Sequence, residues 1–213
     1  LEILSDFDES IMEAYLDGRD VPVEVLKRAI RTATVALKIV PVLCGSAFKN
    51  KGVQPLLDAV VDYLPSPVDL PPVKGLDPAT GAEVLRSSSV DEPFAALAFK
   101  IAVDPFVGRL VFTRVYSGEL TKGSTVYNPG SRTRERVGRI LRMHANKREE
   151  LDEATAGMIV ALPGLKNTRT GDTLCDEAAQ LVLEDLVFPE PVIHLSVEPA
   201  TKNDKIKLTK GLA

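Results

Sequence analysis

The apolar residues of this chain change their period along its length. Before Pro65 they recur at three- and four-residue steps, and from Pro93 onward they alternate at every second position. The first spacing belongs to one face of a helix and the second to one face of a strand, so the two stretches form different elements. Between them Pro65, Pro67, Pro71, Pro72, Pro78 and Pro93 punctuate a stretch with few core-forming residues, ending near Ser87-Ser88-Ser89. Such a segment reads as an extended linker over residues 67–92.

In residues 1–66, Leu4, Phe7, Ile11, Met12, Tyr15 and Leu16 predict one amphipathic helix that Gly18 ends. A second helix is expected from Val23 to about Leu37. Lys38-Ile39-Val40-Pro41-Val42-Leu43 is short, apolar and β-branched and reads as a buried strand. The loop Cys44 to Gly52 and a helix over Val53 to Leu64 follow, halted by Pro65 and Pro67. Strand, polar loop and helix in that order make half of an α/β unit. Ligands of such folds sit in loops at the carboxyl ends of strands. The small residues Gly45-Ser46-Ala47 thus have two readings: backbone N–H groups and a hydroxyl that read a base edge, or a plain turn.

From Pro93 the alternation supports short strands at Phe94–Ile101, Arg109–Ser117, Leu120, Ser124–Asn128, Glu135–Met143, Met158–Leu162 and Thr173-Leu174. Short strands with glycine-rich turns at this spacing predict a closed antiparallel barrel, because closure removes the exposed edges along which sheets aggregate. A third section opens at Pro189-Glu190-Pro191. A strand over Val192–Val197 and a helix starting after Thr201 are expected to begin an α+β domain, and His194 is assigned no function there. The expected fold is therefore multidomain, α/β plus all-β. Leu1 at the start and an unaccompanied helix at the end read as a piece of something longer.

Charge narrows the partner. The net charge is −4. Residues 1–66 carry seven Lys/Arg and ten Asp/Glu, a net of −3. Residues 93–150 carry eleven Lys/Arg and five Asp/Glu, a net of +6. A basic section in an acidic chain favours a polyanionic partner. Its centre is Arg132, Arg134, Arg136, Arg139 and Arg142, followed by Lys147 and Arg148. On one strand Arg132, Arg134 and Arg136 share a face and form a guanidinium row suited to backbone phosphates. The same charges also serve to protect a solvated edge strand. Few aromatics interleave with them, so a structured backbone suits them better than stacked single-strand bases. His144, alone after that strand, reads as a packing or hydrogen-bonding residue.

Other classes recede. Cys44 and Cys175 are too few and too far apart for a disulfide framework or a Cys-rich zinc site, and they suit a reducing cytosol. There is no apolar run of about 18 residues of the kind a membrane-crossing helix needs. Leu1 to Asp6 have neither the basic start nor the apolar stretch of a signal peptide. No metal site is expected.

Several runs taken together resemble the bacterial-type elongation factor G family of translational GTPases. They are Gly45-Ser46-Ala47-Phe48-Lys49-Asn50-Lys51-Gly52-Val53-Gln54 and Leu57 to Pro67, then Ala96 to Ile101, Val107-Gly108-Arg109-Leu110 and Arg114 to Gly118. Arg139 to Asn146 and Thr170-Gly171-Asp172-Thr173-Leu174 complete the set. The resemblance covers essentially the whole chain. It implies that residues 1–66 are the C-terminal part of a GTP-binding domain, with Ser46 and Ala47 in its last guanine-recognition loop. It implies that residues 93–190 are the translation-factor barrel and that 191–213 open a third domain.

The intact family hydrolyses GTP, with Mg²⁺, on the ribosome and moves tRNA and mRNA. The implied partner of the barrel is small-subunit rRNA, contacted through Arg132, Arg134, Arg136, Arg139 and Arg142. The motifs G-x-x-x-x-G-K-[ST], D-x-x-G and N-K-x-D do not occur in these residues. The chain alone is therefore expected neither to hold GTP/GDP nor to hydrolyse GTP. A monomer without membrane contact is expected, in a bacterial cytosol, a mitochondrion or a plastid. Alternatives are a release-factor recycler, a ribosomal protection protein, or a non-enzymatic RNA-binding barrel. Met143-His144-Ala145-Asn146 and Tyr63 to Pro67 favour the elongation factor.

Overall fold

The computed structural model describes residues 1–104, 106–144, 147–183, 193 and 195–212. They fall into two compact units, Leu1–Leu183 and Glu184–Ala213.

The first unit begins with helices α1 (Glu2–Ser5), α2 (Glu9–Leu16), α3 (Val23–Val35) and α4 (Val53–Tyr63). The single helix expected from Leu4 to Leu16 is two helices. Asp8 breaks it by taking an extended conformation and capping α2, its Oδ1 accepting the N–H of Ser10 (3.0 Å) and of Ile11 (3.4 Å). Gly18, at φ +66°, follows the end of α2 as expected. Leu4, Ile11, Ala29 and Ala33 form the small core of this section.

The expected strand over Lys38–Leu43 is not formed. These residues are irregular, and the side chains of Val40 and Val42 are 84% and 89% exposed. Composition can favour an extended backbone, but a strand exists only through hydrogen bonds to a neighbour. None of the described strands pairs with this segment.

The proline-rich section holds more order than a linker. Strands β1 (Val73–Leu76) and β2 (Glu83–Arg86) form an antiparallel hairpin. Asp77 sets its turn, with Oδ1 accepting the N–H of Ala79 (2.7 Å) and Thr80 (2.9 Å), and Gly81 supplies φ +69°. The prolines all lie outside the two strands, which is why their density concealed the hairpin.

The barrel strands are β3 (Ala95–Asp104), β4 (Gly108–Ser117), β5 (Glu119–Thr121), β6 (Thr125–Asn128), β7 (Thr133–Arg136), β8 (Ile140–His144), β9 (Lys147–Leu151), β10 (Glu153–Thr155), β11 (Ile159–Pro163) and β12 (Thr173–Cys175). The last strand, β13 (Val182–Leu183), pairs with β1. One sheet runs β7-β6-β12-β3-β4-β11-β8-β9, and β5 pairs with β10. All the pairings are antiparallel.

The β5–β10 ribbon spans the gap between the two sheet edges. Lys122 N–H donates to Asp152 O (2.8 Å), Gly123 N–H to Val137 O (2.7 Å) and Val137 N–H to Ser124 O (2.9 Å). The strands wrap one core that includes Val111, Val115, Val137, Ile140, Leu162 and Leu174.

The expected strand from Glu135 to Met143 is two strands. Val137 ends the β6–β7 pairing irregularly, its N–H donating to Ser124 O and its carbonyl accepting from Gly123 N–H while its side chain is buried, and residues 137–139 are outside both strands. Strand β9 has no counterpart in the sequence reading, because Lys-Arg-Glu-Glu-Leu shows no apolar alternation and is exposed up to Leu151.

In the second unit, helix α5 (Lys202–Leu212) forms where a helix was expected. Thr201 caps it, its Oγ1 accepting the N–H of Asp204 (3.2 Å) and donating to Asp204 Oδ2 (2.7 Å). The expected strand over Val192–Val197 lies partly outside the described residues. So do Pro189-Glu190-Pro191, His194, Ala145 and Asn146; Ile193 and Leu195 to Val197 are not in a strand. None of the described helices is long and apolar enough to cross a membrane.

Candidate functional site

The loop before α4 is a compact turn. Ser46 N–H donates to Lys51 O (2.9 Å), and Lys51 N–H returns a bond to Ser46 O (3.0 Å). A short 3₁₀ turn over Ala47–Lys49 lies between them, and Asn50 closes it at φ +50°. Glycine is required at both shoulders. A Cβ on Gly45 would lie 2.8 Å from Lys51 O, and Gly52 combines φ +77° with a Cβ position 3.1 Å from Cys44 O.

The loop's own hydrogen bonds use the N–H groups of Ser46, Lys49, Asn50 and Lys51, which leaves those of Ala47 and Phe48 outside the set. A small hollow bounded by Leu43, Ser46, Lys51 and Leu56 adjoins it. This geometry presents the Ser46 hydroxyl and the Ala47 N–H as donors that can meet a carbonyl oxygen on a planar ring. Among the described residues no cluster of three His, Cys, Asp or Glu is placed to hold a metal.

The expected guanidinium row is only partly assembled. Arg132 is not on a strand. It occupies the turn before β7 at φ +53°, so it does not share the alternation of Arg134 and Arg136. Those two are exposed on one side of β7 while Glu135 between them is buried. Arg134 is engaged by Glu177 in a two-pronged ion pair, Nε to Oε2 at 2.6 Å and a terminal nitrogen to Oε1 at 2.7 Å. Each partner stabilises the other's charge, so the Glu177 carboxyl lies below its ordinary range and the Arg134 guanidinium above.

Arg142, on β8, meets Glu149 at 3.3 Å. Arg139 is exposed in the connection between β7 and β8. Arg132, Arg136 and Arg139 thus have no carboxylate partner within ion-pair distance among the described residues.

Glu135 was not a sequence-level candidate, yet it builds the neighbouring surface. Its carboxylate accepts the N–H of Lys166 (2.5 Å), the N–H of Asn167 (3.0 Å) and the hydroxyl of Thr168 (2.5 Å). Arg109 grips the same loop, donating to Lys166 O (3.2 Å) and Thr168 O (2.5 Å). These bonds bring exposed Lys166 and Arg169 up to β7 from the far end of the barrel sequence. A carboxylate at a core-facing strand position, among arginines, was the available signal. Asn128 completes the brace by donating to Asp172 Oδ2 (2.7 Å) and accepting from Ser131 N–H (3.1 Å).

Comparison with known proteins gives the same answer for the barrel and for the chain around it. Residues 93–177 match the family model described as elongation factor G domain 2. Over 100% of its length the chain is 56% identical to elongation factor G of Dehalococcoides mccartyi strain CBDB1 and 57% identical to that of strain 195. A crystal structure from Thermus thermophilus superposes on 100% of the chain with a TM-score of 0.73 at 26% identity, the match covering 29% of that chain. The chain spans 31% of the length of the curated relatives it matches. An antiparallel barrel matched to domain 2, flanked on both sides by sequence that continues the same alignment, makes this chain a segment of the bacterial-type translation elongation factor G family.

Proposed function

We propose that the protein containing this chain hydrolyses GTP on the ribosome and couples that reaction to movement of tRNA and mRNA. The observation that carries this reading is the 56% identity to elongation factor G over 212 residues. The proposed organisation is 1–66 as the end of the GTP-binding domain, 67–92 as the joining hairpin section, 93–190 as the second-domain barrel and 191–213 as the start of the third. Ser46 and Ala47 are proposed to read the guanine edge, while the groups for phosphates and Mg²⁺ belong to residues outside this chain. On its own the chain is proposed not to hold GTP, and saturable tight binding in a calorimetric titration would overturn that.

The barrel is proposed to contact small-subunit rRNA. Of the five candidate arginines, Arg132, Arg136 and Arg139 support contact best, because no carboxylate among the described residues neutralises them. Arg134 and Arg142 already have partners, at Glu177 and Glu149. The test is ribosome sedimentation of the full-length protein over a salt series, with Arg132→Glu and Arg136→Glu together. Binding should weaken, and the slope of log affinity against log salt should flatten by about 0.7–0.9 for each phosphate that is no longer neutralised. An unchanged slope would return these arginines to a solvated edge. Arg134→Gln should move the slope less.

A further inference from the structure

A cavity of about 290 Å³ lies between the 67–71 segment, the β1–β2 hairpin and the outer face of β4. Pro67, Leu70, Val73 and Tyr116 give it apolar walls, and Arg86 and Arg114 are the charged residues among those described that line it. Its walls are held in place from several sides. At Gly157, where φ is +90°, a Cβ would lie 3.0 Å from Pro67, so the 67–71 segment closes directly onto the barrel. Asp69 is fixed from α3, its Oδ2 accepting from Arg31 (2.5 Å) and from the N–H of Ser66 (2.7 Å). Gly75 of β1 sits against Leu181, leaving no room for a side chain.

Each of the two half-buried arginines carries one buried nitrogen unpaired among the described residues. Arg114 stacks over the Tyr116 ring, 5.1 Å from its centroid, and its Nε is buried without an acceptor among the described residues. Arg86 reaches two carbonyls, Leu85 O and Ala179 O, each at 3.3 Å, and its Nε is likewise buried without an acceptor. A guanidinium is always charged and carries five donors. Burying such donors unpaired is costly, and no carboxylate forms an ion pair with either arginine among the described residues. Its planar fork matches the two oxygens of a carboxylate. The rest of the wall offers dispersion contact and little polar pairing.

We propose that this cavity binds a small organic anion, an apolar body carrying one carboxylate, with Arg86 and Arg114 holding the carboxylate and the proline-tyrosine wall holding the body. The site is separate from the Ser46 loop and from the exposed arginines of β7. It lies where the helical section meets the barrel, so a bound anion would bear on both.

The probe is naphthoate, titrated into the chain by calorimetry, with naphthamide and inorganic phosphate as companions. Naphthoate should bind saturably. Naphthamide, which keeps the body and loses the charge, should bind at least about tenfold more weakly, as expected when charge-assisted bonds are removed. Inorganic phosphate, which keeps an oxyanion and loses the body, should also bind more weakly. Arg114→Gln should lower naphthoate affinity about tenfold with the melting temperature retained, and Arg86→Gln gives the same reading if the first variant fails to fold. Arg139→Gln should leave it unchanged. No saturable binding, equal binding of naphthamide, equal binding of phosphate, or indifference to both arginine variants would each overturn the proposal.

Discussion

Strands β4, β8 and β11 turn Val115, Ile140 and Leu162 into a core from which water is excluded. Helices α3 and α4 are just as periodic, yet Leu57 and Val61 on α4 stand 60% and 77% exposed. The two regions share a chain and a similar density of apolar residues and differ in closure. A barrel turns one face of every strand toward the same centre, so its own alternation supplies every partner. An amphipathic helix supplies one stripe and needs a second surface to cover it. Around α3 and α4 the described residues cover only part of that stripe, and a groove bounded by Val35, Ile39, Val60 and Leu64 remains open.

The comparison breaks most sharply under truncation. Leu162→Ala removes a fully buried side chain and should cost about 2–5 kcal/mol. Leu57→Ala removes the same atoms from a largely exposed site and should stay within about 0.5 kcal/mol. Denaturant midpoints at constant slope measure both. Equal losses would mean that the α4 stripe is covered in solution.

A smaller effect is expected at Glu135, where the barrel buries a charge rather than a hydrocarbon. Glu135→Ala leaves the N–H groups of Lys166 and Asn167 without their acceptor and should cost about 1–3 kcal/mol. Hydrogen exchange gives the sharper reading. The Lys166 and Asn167 amides should lose protection while those of β4 and β11 keep theirs. Uniform loss across the barrel would make Glu135 part of the global core instead of a brace for one loop.

These residues also show what was legible beforehand. Alternation from Pro93 located most barrel strands, because each strand of a closed sheet carries its own inside-outside record. The same rule missed β9, whose residues face solvent up to Leu151. It merged β7 with β8, because the irregular end of the β6–β7 pairing, where Val137 bonds both Gly123 and Ser124, depends on residues distant in sequence. Lys38–Leu43 misled because β-branched composition records a preference and not the presence of a neighbour. At the candidate site, the sequence located Ser46 and the arginines but not their engagement. That Glu177 occupies Arg134, or that Glu135 draws Lys166 to β7, depends on pairs separated by 43 and 31 residues. The cavity beside Arg86 and Arg114 was invisible for the same reason, being formed where residues 67–88 meet β4 and Gly157 much farther along the chain.

Acid should produce the smallest effect and the finest discrimination between the two regions. Asp104 closes the β3–β4 hairpin. Its Oδ1 accepts the N–H of Val107 (2.9 Å) and Phe106 (2.8 Å), and its Oδ2 meets Arg148 at 2.8 Å. Those backbone bonds foremost, opposed by desolvation and helped by Arg148, hold its carboxyl below the ordinary value. Asp8 is held low chiefly by the Ser10 hydroxyl, with the N–H groups of Ile11 and Ser10 adding to it. A carboxyl depressed in the folded state favours folding fully above its unfolded value of about 3.9, and that contribution fades as pH falls through the lower folded value. Both acids therefore lose their effect only below about pH 4. Asp104 belongs to a strand pair anchored in the barrel core, whereas the α2 that Asp8 caps rests on the small cluster around Leu4 and Ile11. Amide spectra recorded downward from pH 5 should accordingly show α2 signals collapsing while β4 signals persist. Asp8→Asn, which retains an acceptor but cannot titrate, should delay that collapse. If β4 is lost together with α2, the two regions unfold as one cooperative body, and the contrast in their burial has no counterpart in their stability.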